Sequence, residues 1–250
     1  MTTRATSRRE RHREATYDDI VRVAKELLAA GQQPSLRSVA AGVGLTAPAL
    51  YRYVASYQDL VDLVAYEIDK EATGLIREAA DAQPDDDPAA RLVAAVAAFR
   101  RWALTNPREF SMVFANPIAE GACVRRELLT SATSGHYMNG LMLDLWDRYR
   151  FPHPDVDELP AQVRESVMDP VLPIDVSLVP DGHRGLLWVF MRAWASLYGV
   201  VTLEVFGHMD PRVIESGELF AAMMMSWMEP LGLAPERDRL ETLLRAELTR

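Results

Sequence analysis

Residues 35–56 read SLRSVAAGVGLTAPALYRYVAS, and this stretch predicts two short helices joined by a tight turn. Ser35 is of a residue type that caps helix N-termini, and the apolar residues after it recur at helical spacing. Gly42 and Gly44 are expected to end the first helix, because glycine is a poor helix former and readily adopts the left-handed backbone found at helix C-termini. Thr46 is the expected start of the second helix.

The second helix is expected over residues 46–54. Leu45 and Leu50 flank the Thr46 cap at the spacing of a hydrophobic staple. Pro48 lies in the first turn, where a missing backbone N–H costs no hydrogen bond. Two short helices joined in this way are typical of a helix-turn-helix motif, whose second helix lies in the major groove of DNA. Small side chains near its start would let that helix approach base edges.

The segments on either side of this motif complete the predicted N-terminal domain. Residues 1–15 contain five arginines and no apolar periodicity, which predicts a flexible basic arm. Residues 16–30 place apolar side chains on one face of a helix, with Thr16 as its expected N-cap. Another helix is expected from Ser56 to about Ala80.

The remainder of the chain shows no strand alternation. Residues 151–182 hold six prolines, so a continuous helix cannot cross them, and we expect a long loop with one short helix near residues 159–167. The fold class is therefore expected to be all-α, with an N-terminal three-helix, helix-turn-helix DNA-binding domain at residues 16–75 and a larger helical domain at residues 76–250. After a linker at residues 83–88, helices are expected over residues 89–105 and 107–115, from Cys123 or Val124 to Tyr149, over residues 184–206 and 215–231, and from Pro235 onward.

Charge is unevenly distributed along the chain. The net charge is −9 over 250 residues. Residues 1–57 nevertheless hold nine Arg or Lys against five Asp or Glu, a net of +4, whereas residues 58–250 have a net of −13. A basic head on an acidic body is expected of a protein whose one end binds an anionic polymer. Local charge asymmetry of this kind is also common without any such role.

Several classes of protein are disfavoured by composition. Cys123 is the one cysteine in the sequence, which rules out an intrachain disulfide and fits a cytoplasmic protein. The arginine-rich N-terminus does not resemble a secretory signal. No apolar run approaches ~18 residues without a charge, so we expect no membrane span.

The motif resembles the DNA-binding domain of tetracycline-repressor-type transcriptional regulators over about residues 16–70. Ser35–Ala40, Gly44–Ala49 and Leu50-Tyr51-Arg52-Tyr53-Val54-Ala55-Ser56 carry the resemblance. It implies a homodimer that binds a palindromic double-stranded operator and is released, usually as a repressor, by a small-molecule effector. It also implies that residues 76–250 form the ligand-binding and dimerisation domain. The residues that it places at the DNA are Ser35, Arg37, Thr46, Ala47, Ala49, Tyr51, Arg52, Tyr53 and Tyr57.

Individual members of this set have other interpretations. Tyr51 taken alone is more often a core residue than a DNA contact, and Arg52 is as readily a solvated side chain. The sequence also departs from the family at Tyr57, where a lysine is usual. A tyrosine can offer its hydroxyl to a phosphate but adds no charge, and the arginines of the arm are expected to compensate by entering the minor groove.

Residues 192–207 resemble one C-terminal subgroup of the same family, in which a tryptophan is followed by histidine-glycine and then by leucine-glutamate. Tyr198 replaces the histidine here. In that subgroup the last two long helices form a four-helix dimer interface, and the apolar residues 186–206 suit such a helix. Plain core packing is the alternative. The residues expected at the interface are Leu197, Val201, Val205, Phe220, Met224 and Trp227.

An effector pocket needs apolar walls and a few polar groups. An aromatic lining would suit a lipophilic compound, and the proline-rich loop could cover the mouth. For each residue, ordinary core packing is the alternative. The candidates are Phe99, Trp102, Phe110, Phe114, His136, Met142, Trp146, Trp188, Arg192 and Trp194.

Two other functions are disfavoured, and no cofactor or metal is expected. Residues 42–47 match a dinucleotide-binding G-x-G-x-x-A string, but a helix precedes them where that fingerprint requires a strand. The sequence holds no HExxH, phosphate loop, nucleophile elbow or Cys/His metal spacing, so we do not expect an enzyme. A ligand-independent architectural DNA-binding protein would not need so large an apolar body.

Overall fold

The computed structural model describes residues 8–115, 133–170 and 176–250, with the backbone alone at Arg9 and Val176. The long regular elements in these residues are all helices, which confirms the predicted all-α class. In chain order they are α1 (Arg8–Ala29), α2 (Leu36–Val43), α3 (Ala47–Leu50), α4 (Tyr57–Asp81), α5 (Pro88–Thr105), α6 (Pro107–Phe114), α7 (Ser134–Tyr149), α8 (Ala161–Met168), α9 (Gly185–Val205), α10 (Pro211–Ser216), α11 (Glu218–Met225) and α12 (Arg237–Leu248).

The chain forms two compact units. Unit one is the described chain up to Ile68 together with residues 108–115, so it contains α1 to α3, the first half of α4 and nearly all of α6. Unit two contains residues 69–107 and the described residues from 133 onward.

The core of unit one is built by α1, α2, α3 and the start of α4. α1 packs on α2, and α2 packs on α3. Gly42 lies inside α2 and does not break it, contrary to the sequence-based expectation. α1 packs closely against it, since a Cβ at Gly42 would lie 2.5 Å from Val23 Cγ1. The buried side chains include Ile20, Ala24, Val39, Leu50, Val54, Leu60 and Val64.

α1 begins at Arg8, eight residues before the predicted Thr16. Thr16 is not an N-cap; its hydroxyl donates to the carbonyl of His12 one turn earlier. The segment from Arg8 to Glu14 consists of good helix formers, and Arg13 reaches Tyr17 on the next turn. The predicted flexible arm is thus wrong for residues 8–15, while residues 1–7 lie outside the described residues.

α5 is the central helix of unit two. Its many alanines let α7, α9 and α12 approach closely, and all three pack against it. Large apolar side chains from α5, α7, α9 and α11 fill the interior of unit two. The fully buried ones include Phe99, Leu145, Leu186, Leu187 and Phe220.

Several predicted boundaries in unit two need correction. α7 begins at Ser134, because Thr133 has an extended backbone; the predicted start at Cys123 or Val124 lies outside the described residues. The helix predicted over residues 215–231 is interrupted at Gly217, whose φ of 66° is left-handed. The short helix predicted inside the proline-rich loop is confirmed as α8.

α9 is long and apolar enough to cross a membrane by length and composition alone. Core helices of water-soluble proteins pass the same test. α9 also carries Arg192 near its middle and the charged, fully buried Glu204 near its end. These features favour a core helix.

A buried carboxyl group joins α4 to the start of α7 in unit two. Both carboxylate oxygens of Asp69 lie 3.3 Å from the backbone nitrogen of Ser134, which donates to them. Burial raises the pKa of Asp69 to about 6, although the hydrogen bonds from Ser134 act in the opposite direction. Ionisation of Asp69 therefore opposes folding.

Replacing Asp69 by Asn should stabilise the protein more at pH 7.5 than at pH 4.5. The folded state holds the proton that the unfolded state releases between pH 4 and 6, so wild-type stability falls as the pH rises through this window. The difference in the free energy of unfolding between variant and wild type should grow by about 2 kcal/mol from pH 4.5 to pH 7.5. Urea denaturation at the two pH values measures it, and a pH-independent difference would contradict the buried, protonated Asp69.

Candidate nucleic-acid interface

α2 begins at the predicted Ser35 cap and ends at Gly44, one of the two glycines predicted to end it. The hydroxyl of Ser35 accepts from the backbone nitrogen of Ser38 at 3.1 Å, and the Ser38 hydroxyl accepts from the backbone nitrogen of Ser35 at 2.9 Å. Gly44 adopts a left-handed φ of 74°, and Leu45 N–H then bonds to Ala40 at 2.8 Å. These contacts close α2 and turn the chain toward α3.

α3 is capped by Thr46, whose hydroxyl oxygen lies 3.4 Å from the backbone nitrogen of Ala49. Its α-helical part ends at Leu50, but backbone hydrogen bonds from Tyr53 and Val54 to the Leu50 carbonyl continue the turn. The predicted recognition segment at residues 46–54 is therefore one capped turn of α-helix followed by hydrogen-bonded turns. Leu50 is buried and anchors the segment to unit one.

Most of the predicted DNA-contacting residues have accessible side chains. The Tyr51 side chain is 52% exposed, so the alternative of a core residue is wrong. Ala49, Tyr53 and Tyr57 are partly buried, and the hydroxyl of Tyr57 accepts from Gln33 Nε2 at 3.2 Å. The exposed members are Ser35, Arg37, Thr46, Ala47, Tyr51 and Arg52.

Two contacts in unit one were missed by sequence reasoning. Tyr17 on α1 donates its hydroxyl to the carbonyl of Tyr53 at 3.2 Å, and the two rings meet edge to face at 5.5 Å. Arg108 on α6 donates to the carbonyls of Leu28 and Ala29 and so caps the C-terminus of α1. Both join residues far apart in sequence, and neither lies on a pattern that periodicity reveals.

The predicted pocket residues fall into both units. Phe110 and Phe114 lie in unit one and pack together at 5.2 Å between ring centroids. In unit two, the ring of Phe99 contacts Trp102 at 6.3 Å and Trp194 at 5.6 Å. The other candidates also lie in unit two: the buried Met142, the partly buried His136 and Trp188, and the exposed Arg192, as well as Trp146.

Trp146 belongs to a separate aromatic cluster within unit two. Its ring lies 4.7 Å from the ring of His183, and His183 Nδ1 lies 3.0 Å from His153 Nε2. These two histidines lie at the two ends of the proline-rich loop. Because 30 residues separate them in sequence, their contact could not be predicted from the sequence. Within the described residues, no group of three or more His, Cys, Asp or Glu is placed to hold a metal ion.

A surface groove of about 340 Å³ in unit two runs between α11 and α12. Its walls carry charged residues such as Glu218 and Arg245, and none of the ten predicted pocket residues lines it. The assignment of a pocket to the aromatic candidates remains a prediction.

Three of the predicted dimer residues need correction. Leu197, Val201 and Phe220 are 5%, 0% and 0% exposed, so the protomer's own core leaves them almost no surface for a partner. Their faces of α9 and α11 point into unit two, toward α5 and each other. Val205, Met224 and Trp227 are half-buried and stay predictions. Trp227 is covered in part by the guanidinium of Arg192, 5.6 Å from its ring centroid.

A buried ion pair fixes α9 against α5. Arg100 Nε lies 2.6 Å from Glu204 Oε2, and Arg100 Nη2 lies 3.2 Å from Glu204 Oε1 and donates to the Ile214 carbonyl at 2.7 Å. The pair is bidentate, which is the favoured geometry of a guanidinium and a carboxylate. Glu204 is the glutamate of the predicted leucine-glutamate pair, and its partner could not be inferred from sequence.

Comparison with known proteins agrees with this architecture. Residues 92–227, more than half of the chain, match the family described as tetracyclin repressor-like, C-terminal domain. The chain is 31% identical over 84 residues to HTH-type transcriptional regulators of Mycobacterium bovis and of Mycobacterium tuberculosis. That match covers 34% of this chain and about a third, 36%, of the length of each relative.

A solved structure shares the fold over most of the chain. The crystal structure of the regulatory protein SCO4313 superposes with a TM-score of 0.61, over 90% of this chain and 100% of that one, at 23% identity. The C-terminal family match includes α9 with its buried Glu204, the segment in which the sequence resembled the C-terminal subgroup. The chain therefore belongs to the tetracycline repressor-like family of transcriptional regulators.

Proposed function

We propose that the protein is a ligand-responsive transcriptional regulator that binds double-stranded DNA with α2 and α3. The observation that carries the proposal is the capped α2–turn–α3 segment, which is anchored by the buried Leu50 and leaves Thr46, Ala47 and Arg52 exposed. A helix pair of this kind braces its first member across the DNA backbone and inserts the second into the major groove.

Selection from a random pool of duplexes tests this proposal. The purified full chain is incubated with the pool at 0.15 M salt, and the bound duplexes are sequenced after several rounds. We expect enrichment of an inverted repeat, whose half-sites present the same groove face to two copies of α3. A pool that stays random after selection would overturn the proposal.

Replacing Ala47 by Glu should weaken binding to the selected duplex about tenfold or more. A carboxylate at this position would face the phosphates and occupy space needed for close approach to base edges. The fold should persist, because an acidic residue in the first turn of a helix is favourable. Fluorescence anisotropy measures the dissociation constant.

Ala246→Glu is the matched control for this variant. Ala246 is exposed on α12 in unit two, so the replacement adds the same charge away from the proposed interface. Its dissociation constant should equal that of the wild type. Equal losses in both variants would show that net charge, and not the position of α3, governs binding.

The homodimer is the second part of the proposal, since reading a palindrome from one face needs two recognition helices about one DNA turn apart. An outward stripe at helical spacing on α9 supports it, because much of it is apolar yet not buried in the protomer. Analytical ultracentrifugation of the wild type should give a mass twice that of the 28.0 kDa chain. The Leu203→Glu variant should give a lower mass, closer to that of the monomer. The stripe consists of Trp188, Arg192, Ala195, Gly199 and Leu203 on α9, together with Phe206, the residue that directly follows α9.

The effector is proposed to be a small lipophilic molecule bound among the aromatic residues of unit two, with Phe99 and Trp194 as walls. It would favour a conformer in which the two recognition helices are wrongly spaced, so that the protein acts as a cytoplasmic repressor released from its operator. A thermal-shift screen of aromatic compounds, followed by operator titration, tests this step. A compound that stabilises the protein yet leaves operator affinity unchanged is not the effector.

A further inference from the structure

The guanidinium of Arg13 is held beside the end of the recognition segment by a chain of two hydrogen bonds. Arg13 Nη2 donates to the hydroxyl of Tyr17 at 3.2 Å, and that hydroxyl donates to the carbonyl of Tyr53 at 3.2 Å. The guanidinium carbon also lies 5.6 Å from the centroid of the Tyr17 ring. Arg13 is thereby placed next to Tyr53 although 40 residues separate them in sequence.

Arg13 carries a charge that the described part of the protein does not neutralise. Its side chain is exposed, and it forms no ion pair with any described residue. Arg22, nine residues further along α1, differs: Asp19 and Glu26 both pair with it, at 2.8 and 2.9 Å. The one oriented contact of Arg13 uses one N–H of Nη2, so the remaining guanidinium donors are available to an outside acceptor.

We propose that Arg13 is a DNA-phosphate contact at the edge of the groove that receives α3, and that Tyr17 is the residue that positions it. This inference rests on the proposed DNA binding by α2 and α3. When a recognition helix lies in the major groove, the groove is bordered by sugar-phosphate strands, and a cation beside the end of the helix faces them. A guanidinium can bind a phosphate through two parallel hydrogen bonds.

For Arg13, a phosphate contact replaces the sequence-based expectation that the arginines of residues 1–15 enter the minor groove. An arm that enters the minor groove must be extended and free, whereas Arg13 lies within α1 and is fixed by Tyr17. A phosphate contact carries no sequence information, so Arg13 should strengthen binding to every duplex alike. It should also add one unit to the number of counterions released on binding.

The test compares Arg13→Gln with the wild type on the selected inverted repeat and on a shuffled duplex, from 0.1 to 0.4 M salt. We expect the slope of log Kd against log salt to fall by about 0.9, and the affinity for both duplexes to fall about fivefold at 0.15 M. Arg13→Lys should retain the slope, because it retains the charge. Arg22→Gln is the control on the same helix and should match the wild type in slope.

The Tyr17→Phe variant tests the position of the Arg13 guanidinium separately from its charge. It removes the hydroxyl that holds Arg13 but leaves the guanidinium in place, so the affinity should fall while the slope changes less than in Arg13→Gln. An unchanged slope in Arg13→Gln, with thermal melting equal to that of the wild type, would overturn the inference and leave the proposed function standing. Wild-type protein that binds no duplex would instead refute the proposed function.

Discussion

Replacing Glu204 by Ala should lower the free energy of unfolding by about 3–5 kcal/mol, because the guanidinium of Arg100 would remain buried without its counterion. The side chains of Arg100 and Glu204 are 8% and 0% exposed, so water cannot replace the lost carboxylate without opening unit two. The Ile214 carbonyl satisfies one donor but neutralises no charge. Differential scanning calorimetry should show Tm lowered by about 10 °C or more.

Two further variants show whether burial of the charge is the cause. Glu218→Ala also removes a carboxylate paired with an arginine, but that side chain is 60% exposed, and Tm should stay within error of the wild type. The double variant Arg100→Met/Glu204→Leu should recover most of the loss, since it leaves no buried charge. If Glu204→Ala melted like Glu218→Ala, the pair would not be buried in solution.

Replacing Gly185 by Ala should destabilise the protein by about 3 kcal/mol, the upper end of the cost of overpacking. A Cβ at Gly185 would lie 1.9 Å from the carbonyl oxygen of Pro154, which is backbone and cannot rotate away. The first turn of α9 would have to move off the proline-rich loop, and the His153–His183 contact bridges the same two segments. Urea denaturation measures the change.

Gly140→Ala makes the same substitution where the helix has room. Gly140 lies inside α7, and a Cβ there meets no atom within 4 Å. This variant should be more stable than the wild type by about 1 kcal/mol, because alanine is the better helix former. If both variants gained stability, the close packing of α9 on the loop would be refuted.

The parts of the fold that were predicted correctly depend on contacts between residues close together in sequence. Ser35, Gly44 and Thr46 each act within three residues of themselves, so α2, the turn and the start of α3 follow from residue type and spacing. The proline and aspartate residues of the predicted linker at residues 83–88 likewise mark the end of α4 and the beginning of α5. Asp87 caps α5 by accepting a hydrogen bond from the backbone nitrogen of Ala90.

Features that depend on tertiary partners were missed. Gly42 resembles a helix breaker until Val23 on α1 is seen to occupy the place of its Cβ. Leu197 and Val201 resemble interface residues because α9 is apolar on most of its surface, and the sequence does not say which side faces α5. The position of Arg13 depends on Tyr17 and Tyr53, which only the folded unit brings together.

Residues 35–56 are proposed to present α3 to a groove of double-stranded DNA. The most direct test is the dissociation constant of the full chain for the selected inverted repeat, measured against a shuffled duplex of the same length and composition at 0.15 M salt. We predict that the inverted repeat binds at least about 10³ times more tightly. A ratio near one would contradict sequence-specific DNA binding by α3.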